Sequence, residues 1–532
     1  MRATRNSKHS PSFKPGRTAP LLVFAALLTL GSVAAAFFYA RGNTLDYGDA
    51  EAHLNTARRI IDSRTPGYEQ IGTPWLPLPH VLMLPFVGDD HLWQTGLAGT
   101  IPAVFCFAVA GTFLFLSVRL LWGGVAPGLC AAAVFALNPN LLYLQSTPMT
   151  EPVLFATFLP LLYFTLLFGR TQHLGAAAAA GLCAALGTLT RYDAWFPLPL
   201  VALYILISGG TQRWRACVTF CTLAGAGPLY WLAHNHVFEG DALAFYRGPW
   251  SHRAIYQRFI DAGGARYGGD HDWSKAWLYY RSAAEVCAGS TLFTAGAVGL
   301  LAALWRRAWM AVALLLVLPL FYVLSMYSGG TPIFLPHLWP SSYYNARYGV
   351  VVLPLLALGC AGIVAALPQR VAPFAAASLI ALSIVPWLAY PHPNNWIVWK
   401  EGNHNHAARR AWTAEVAELL QREYRRGTGI LFTWGDMTGV LRAASIPLKE
   451  TLNDTNGPHF AGATARPDLF LWEEWVLATS ADAAGSAMMK TAAGGRNHYE
   501  LVRRVQITGA NPIEVYRRTH ADPLHQSARR TQ

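Results

Sequence analysis

The chain has 532 residues, 53% of them hydrophobic and only 13% charged, and a net charge of +12. Soluble domains carry about 25% charged residues, so this composition excludes an ordinary soluble fold and implies membrane spans. The positive charges sit in short loops between apolar runs, the bias expected of cytoplasmic loops. They form no patch suited to nucleic acid, which is excluded as a partner.

In chain order, a basic tail (1–19) holding Arg2, Arg5, Lys8, Lys14 and Arg17 precedes an apolar run over 20–40. That run is long enough to cross a bilayer and reads as an uncleaved first span rather than a signal peptide. Further apolar runs cover 93–118, 125–144, 152–169, 174–190, 195–208, 217–237, 286–304, 309–328, 349–367 and 372–390. The sequence therefore predicts an all-α polytopic membrane domain over 20–390, with about eleven transmembrane helices.

The loops alternate in charge. Arg119, Arg170, Arg213 with Arg215, Arg306 with Arg307, and Arg370 lie in loops without carboxylates. Asp46, Asp49, Glu51, Asp62, Glu69, Asp89, Asp90, Glu151, Asp193, Glu239, Asp241, Asp261, Asp270, Asp272 and Glu285 lie in the other set. A cytoplasmic N-terminus satisfies the bias and places the carboxylates and the C-terminus outside. The expected location is a cytoplasmic (inner) membrane. The first outer loop, 41–92, is large and contains two segments with helical periodicity and a Pro-rich stretch, 73–80. All seven cysteines fall in apolar runs, where they read as small packers rather than as a disulfide framework.

Residues 391–518 read as a small extracytoplasmic α/β domain and 519–532 as a disordered tail. Helices are predicted over 404–426 and 437–445, and strands over 430–433, 448–452, 468–475, 499–507 and 513–517. No glycine-rich nucleotide loop follows the first strand. Asp436, just beyond that strand, could contact an acceptor or simply close a turn.

Several polar residues at the outer ends of spans are candidates for chemistry. Read as a helix from Asp49, the first outer loop places Asp49 and His53 on one face, one turn apart, with Glu51 turned toward Asn55 and Arg58. A carboxylate at a helix start also suits capping, for Asp49 and Glu151 alike. Arg191 and Arg347 have the guanidinium fork that matches phosphate oxygens, and they could equally snorkel into headgroups. His53 and His80 could bind substrate or a metal. Tyr343, Tyr344 and Tyr348 also fit an interfacial aromatic belt.

The segment Asp49-Ala50-Glu51 followed by Ala57-Arg58 resembles the first outer loop of the GT-C superfamily of polytopic glycosyltransferases. It is most similar to the group holding the polyprenyl-phosphate-sugar-dependent protein mannosyltransferases and lipid A aminoarabinose transferases. Ala136-Leu137-Asn138-Pro139 with Ser146–Glu151, Gly187–Asp193, and Asn345-Ala346-Arg347-Tyr348 are similar to further motifs of that group, in order, over 20–390. The resemblance implies a GT-C fold and transfer of a sugar from a polyprenyl-phosphate donor to a glycan, lipid or protein acceptor, at the outer face among membrane lipids. Asp49 would be the general base and Glu151 a second catalytic carboxylate. Glu51, His53, Arg58, His80, Arg191, Tyr192, Asp193, Tyr344, Arg347 and Tyr348 would bind substrate. No cofactor is required on this reading, no metal ligands are assigned, and a divalent cation stays possible by analogy with oligosaccharyltransferases. A pyrophosphate-dependent oligosaccharyltransferase, a secondary transporter and a non-catalytic scaffold are the alternatives.

Overall fold

A computed structural model describes residues 18–389, 395–435, 437–479, 482–492, 499–508 and 510–519. Among them, seven helices are long and apolar enough to cross a membrane: Thr18–Ala40, Leu97–Trp122, Glu151–Thr171, Gly210–Glu239, Trp309–Tyr327, Ala346–Ala366 and Ala372–Ala389. Trp273–Ala288 and Ser290–Trp305, bent by 109° where they join, make an eighth if counted as one span. These helices are apolar nearly all round, as helices surrounded by lipid and other helices must be.

Three of the predicted spans form shorter helices. The run over 125–144 breaks at Asn138-Pro139, because proline cannot donate to the preceding turn. Asn138 then caps Pro139–Leu144 by accepting the N–H groups of Asn140 and Leu141. The runs over 174–190 and 195–208 give Leu174–Thr188 and Tyr192–Ser208, and a further short apolar helix, Leu78–Val87, lies in the first outer loop. Close packing uses small residues, as in other membrane bundles. A Cβ on Gly299 would collide with the Gly359 carbonyl, and one on Gly359 with that of Gly296.

The two ends of the bundle differ. At one, Arg170 donates to the Leu121 carbonyl and the Trp122 indole to that of Arg306. The other carries the carboxylates, the first outer loop and the C-terminal domain. A long helix, Ile397–Glu423, leads into that domain. Its sheet has the order β2-β1-β3-β5-β4, with β1 Ile430–Phe432, β2 Thr451–Leu452, β3 Trp475–Ala478, β4 Tyr499–Val505 and β5 Ile513–Arg518. Strands β2, β1 and β3 run parallel, and β5 and β4 pair antiparallel.

Two strand expectations need correction. Residues 448–450 form a 3-10 turn, so only Thr451–Leu452 pairs. The stretch over 468–475 begins as the helical turn Pro467–Phe470, and pairing starts at Trp475. Proline is at home in a first helical turn, whereas Trp475–Ala478 is buried throughout. Helices Pro458–Ala465 and Ala483–Ala492 lacked a clear period and were not predicted. The N-terminal tail up to 17, Asp436 and 520–532 lie outside the described residues.

The first outer loop and the C-terminal domain share one hydrophobic core. Leu54, Ala57, Met83 and Trp93 pack in the same cluster as Val416, Leu420, Ile430, Phe432 and Val440. Charges reinforce the contact: Asp46 with Arg410 at 2.6 Å, Glu51 with Arg442 at 2.9 Å, and Arg64 with Glu473 at 2.7 Å. Asp62 accepts the backbone N–H groups of Leu448 and Lys449, each at 3.2 Å.

Candidate active site

The first-loop helix, Gly48–Ile61, lies against a cavity of about 1380 Å³. Asp49, Ala52, His53, Thr56 and Arg59 line it; their spacing of three and four residues is one face of a helix. The cavity is closed elsewhere by Arg191, Tyr192 and Asp193, by the turn that carries Tyr344, Arg347 and Tyr348, and by Trp434 of the C-terminal domain.

At its floor, charged groups from four segments meet. Arg347 Nη2 donates to Asp49 Oδ2 at 2.5 Å and its Nε to Glu151 Oε1 at 3.2 Å. Arg191 Nη1 reaches the same Glu151 oxygen at 3.4 Å and Thr150 Oγ1 at 2.6 Å. Its Nε donates to Asp193 Oδ2 at 3.2 Å and its Nη2 to the Tyr322 hydroxyl at 2.7 Å. Tyr322 in turn donates to Asp193 at 2.7 Å. The Tyr348 ring packs near both guanidinium groups, 5.6 Å from Arg191 and 5.0 Å from Arg347. Neither arginine snorkels away from the bundle.

The capping alternatives are likewise not what these carboxylates do. The helix N-cap residues next to Asp49 and Glu151 are Tyr47 and Thr150, and neither makes a side-chain cap bond. Asp49 and Glu151 point to the arginines instead. Asp49 is 45% exposed to the cavity, whereas Glu151 is wholly buried beneath the two guanidinium groups. Burial works to raise the Asp49 carboxyl, but the Arg347 guanidinium, with His53, outweighs it and holds the group below the usual carboxylate range.

His53 Nδ1 lies 3.0 Å from His80 Nε2, and the His53 ring packs on Trp75 with centroids 4.1 Å apart. Burial pushes the His53 imidazole down to about 4, against the pull of Asp49. The pair is therefore uncharged at neutral pH, and one nitrogen must donate to the other.

The structure does not bring every predicted residue to the cavity wall. Glu51 faces the C-terminal domain on Arg442. Arg58 points away, pairing with Asp62 and Asp90 at 2.7 Å each and stacking on Trp93. His80 stands behind His53, and Glu151 below the arginines. The helical period explains the first two, since positions two and nine residues after Asp49 lie off its face. The next residue, Arg59, was missed although it shares that face. Its Nε donates to the Gln70 carbonyl at 2.5 Å and its guanidinium lies over Trp434. Burial lowers Arg59 to about 10. Among the described residues, no group of three or more His, Cys, Asp or Glu converges as metal ligands would.

Comparison with known proteins agrees with this architecture. The model of the dolichyl-phosphate-mannose-protein mannosyltransferase family matches residues 92–231. ArnT from Cupriavidus metallidurans bound to undecaprenyl phosphate superposes with a TM-score of 0.54 at 14% identity, covering 93% of this chain and 97% of that one. The fold is that of the GT-C glycosyltransferases. Apo ArnT gives a TM-score of 0.50 over the same shares, also at 14% identity. The Archaeoglobus fulgidus oligosaccharyltransferase gives 0.49 at 10% identity over 87% of this chain and 70% of that one. No curated protein sequence matches the chain. The match to ArnT, over 93% of this chain, takes in both the helical bundle and the small sheet domain.

Proposed function

We propose that the protein is an inverting glycosyltransferase that moves a sugar from a polyprenyl-phosphate donor to an acceptor at the outer face of the cytoplasmic membrane. One observation carries this reading: a cavity-facing carboxylate, Asp49, hydrogen-bonded to Arg347, which with Arg191 flanks the buried Glu151. A lipid phosphate is already a good leaving group, so the reaction needs a base for the acceptor hydroxyl and cations for the departing phosphate. Asp49 supplies the first and the two guanidinium groups the second. Glu151, Asp193 and Tyr322 hold the arginines in place. The likeness to ArnT, a protein solved with undecaprenyl phosphate, supports the donor class.

The donor phosphate competes with Asp49 for Arg347. When it wins, Asp49 loses the contact that keeps its carboxyl acidic and becomes a better base just as substrate arrives. On this reading His53, one turn along on the cavity face, contacts the sugar. No cofactor is needed for these steps.

The test is turnover of a radiolabelled polyprenyl-phosphate sugar by the purified protein in lipid nanodiscs. The wild type should consume the donor when acceptor is present, and Asp49→Asn should not. Donor left intact under all acceptor conditions, with uptake driven by an ion gradient instead, would favour a transporter.

A further inference from the structure

Glu401 belongs to the helix that leads into the C-terminal domain, yet its carboxylate is spent on the membrane bundle. Its Oε1 accepts the Asn345 N–H at 2.7 Å and its Oε2 the Ala346 N–H at 2.8 Å. The residue is 1% exposed. Asn345 has a φ of 56°, a left-handed conformation that asparagine tolerates better than most residues. Such a turn aims successive N–H groups into one concavity, which suits an anion, and here the anion is Glu401. The next residue is Arg347. Two further contacts hold the turn: Cys287 Sγ donates to the Ala346 carbonyl at 3.1 Å, and Gly349 abuts the Ala283 backbone so closely that a Cβ would collide. The approach of the helix itself is equally tight, since a Cβ on Gly402 would meet the Tyr143 hydroxyl at 2.8 Å.

We infer that Glu401 is a positioning residue: by gripping the N–H groups of residues 345 and 346 it fixes the Arg347 guanidinium for the donor phosphate. This rests on the function proposed above. It makes the stem of the C-terminal domain part of the phosphate site, so that movement of the domain and affinity for donor are linked. The titratable groups facing Glu401 are Arg347, Tyr47, Tyr143, Tyr344 and Cys287. Burial pushes its carboxyl up to about 7 against the pull of Arg347. A raised folded value means that the burial penalty is absent below the ordinary glutamate range and complete above pH 7. A purely structural glutamate would show no linked loss of binding.

The experiment uses the full chain in nanodiscs, with undecaprenyl phosphate as probe and Glu401→Gln as the variant. Glutamine keeps the shape but turns an N–H toward one of the two donors. Amide exchange at 345 and 346 should quicken at least tenfold and probe affinity should fall at least tenfold. Combined with Arg347→Gln, the two losses in affinity should fail to add, because Glu401 acts through that arginine. Unchanged exchange, unchanged affinity, or losses that add would each overturn the inference. Should the glutamine variant not fold, Glu401→Met removes the buried charge and serves the same comparison. If wild type and Arg347→Gln are alike in not holding the probe, the functional reading fails, and the exchange rates alone then decide whether Glu401 grips the turn.

Discussion

Along the cavity face of the helix Gly48–Ile61 run Asp49, His53 and Arg59; along its other face run Glu51 and Arg58, with Asp62 just beyond its end. Both faces are rich in charge, and almost all of these groups are buried. The groups on the second face are satisfied within the protein: Glu51 by Arg442, Arg58 by Asp62 and Asp90, and Asp62 by two backbone N–H groups as well. On the first face, Asp49 leaves part of its carboxylate open to the cavity, and among the described residues the hydrogen-bond partner of the His53 side chain is His80. On the proposed function, the contrast separates fastening from chemistry. One face docks the C-terminal domain, and the other keeps capacity for a ligand.

Substitutions on the two faces should therefore fail in different ways. The largest effect belongs to Asp49→Asn. Transfer should drop by about 10²–10⁴-fold, the usual value of a positioned general base, with the Tm little changed; donor turnover and a melting curve together check this. Next is Arg347→Gln. Losing charge-assisted bonds costs about 1.5–3 kcal/mol each, so affinity for undecaprenyl phosphate should weaken by at least tenfold in a binding titration. On the docking face, Glu51→Gln should leave that affinity unchanged and lower stability by about 3 kcal/mol, since it removes the buried charge paired with Arg442. A loss of probe binding in that variant would erase the distinction between the faces. The smallest effect is expected from Asp90→Asn. Its carboxylate is 70% exposed, and exposed pairs contribute about 0–1 kcal/mol, so the melting curve should scarcely move.

The pH dependence sharpens the same contrast. The Asp49 carboxyl is held below its ordinary range in the free protein, so it stays ionised from pH 5 upward. Its contribution to stability is present above the unfolded carboxylate range and is lost only as pH falls through the lower folded value. Donor turnover at subsaturating substrate should show no acid limb between pH 5 and 8 that Asp49→Asn removes. A limb centred near 6 would mean that Arg347 does not hold Asp49 in solution.

The spans and the charge alternation of their loops were legible because membrane insertion acts on composition, and composition is local. The face carrying Asp49 and His53 was legible from the helical period. Arg59 shares that period but stands beside Arg58, and the choice between two adjacent arginines depends on where the cavity lies. In sequence Glu151 is a carboxylate at a span end, yet its burial comes with Arg191 and Arg347, which are distant in sequence. The strand expected over 468–475 failed for a related reason. Trp475–Ala478 is a short apolar run between two sheet neighbours, and only the neighbours define where pairing starts. Glu401 carried no signal at all, since its partners are backbone N–H groups more than fifty residues away.

The most direct test of the account is an experimental structure of the protein with undecaprenyl phosphate. The account predicts phosphate density within hydrogen-bond distance of Arg347, flanked by Arg191, with the Asp49 carboxylate facing the same space. Phosphate bound elsewhere, with the Asp49–Arg347 contact undisturbed, would contradict it.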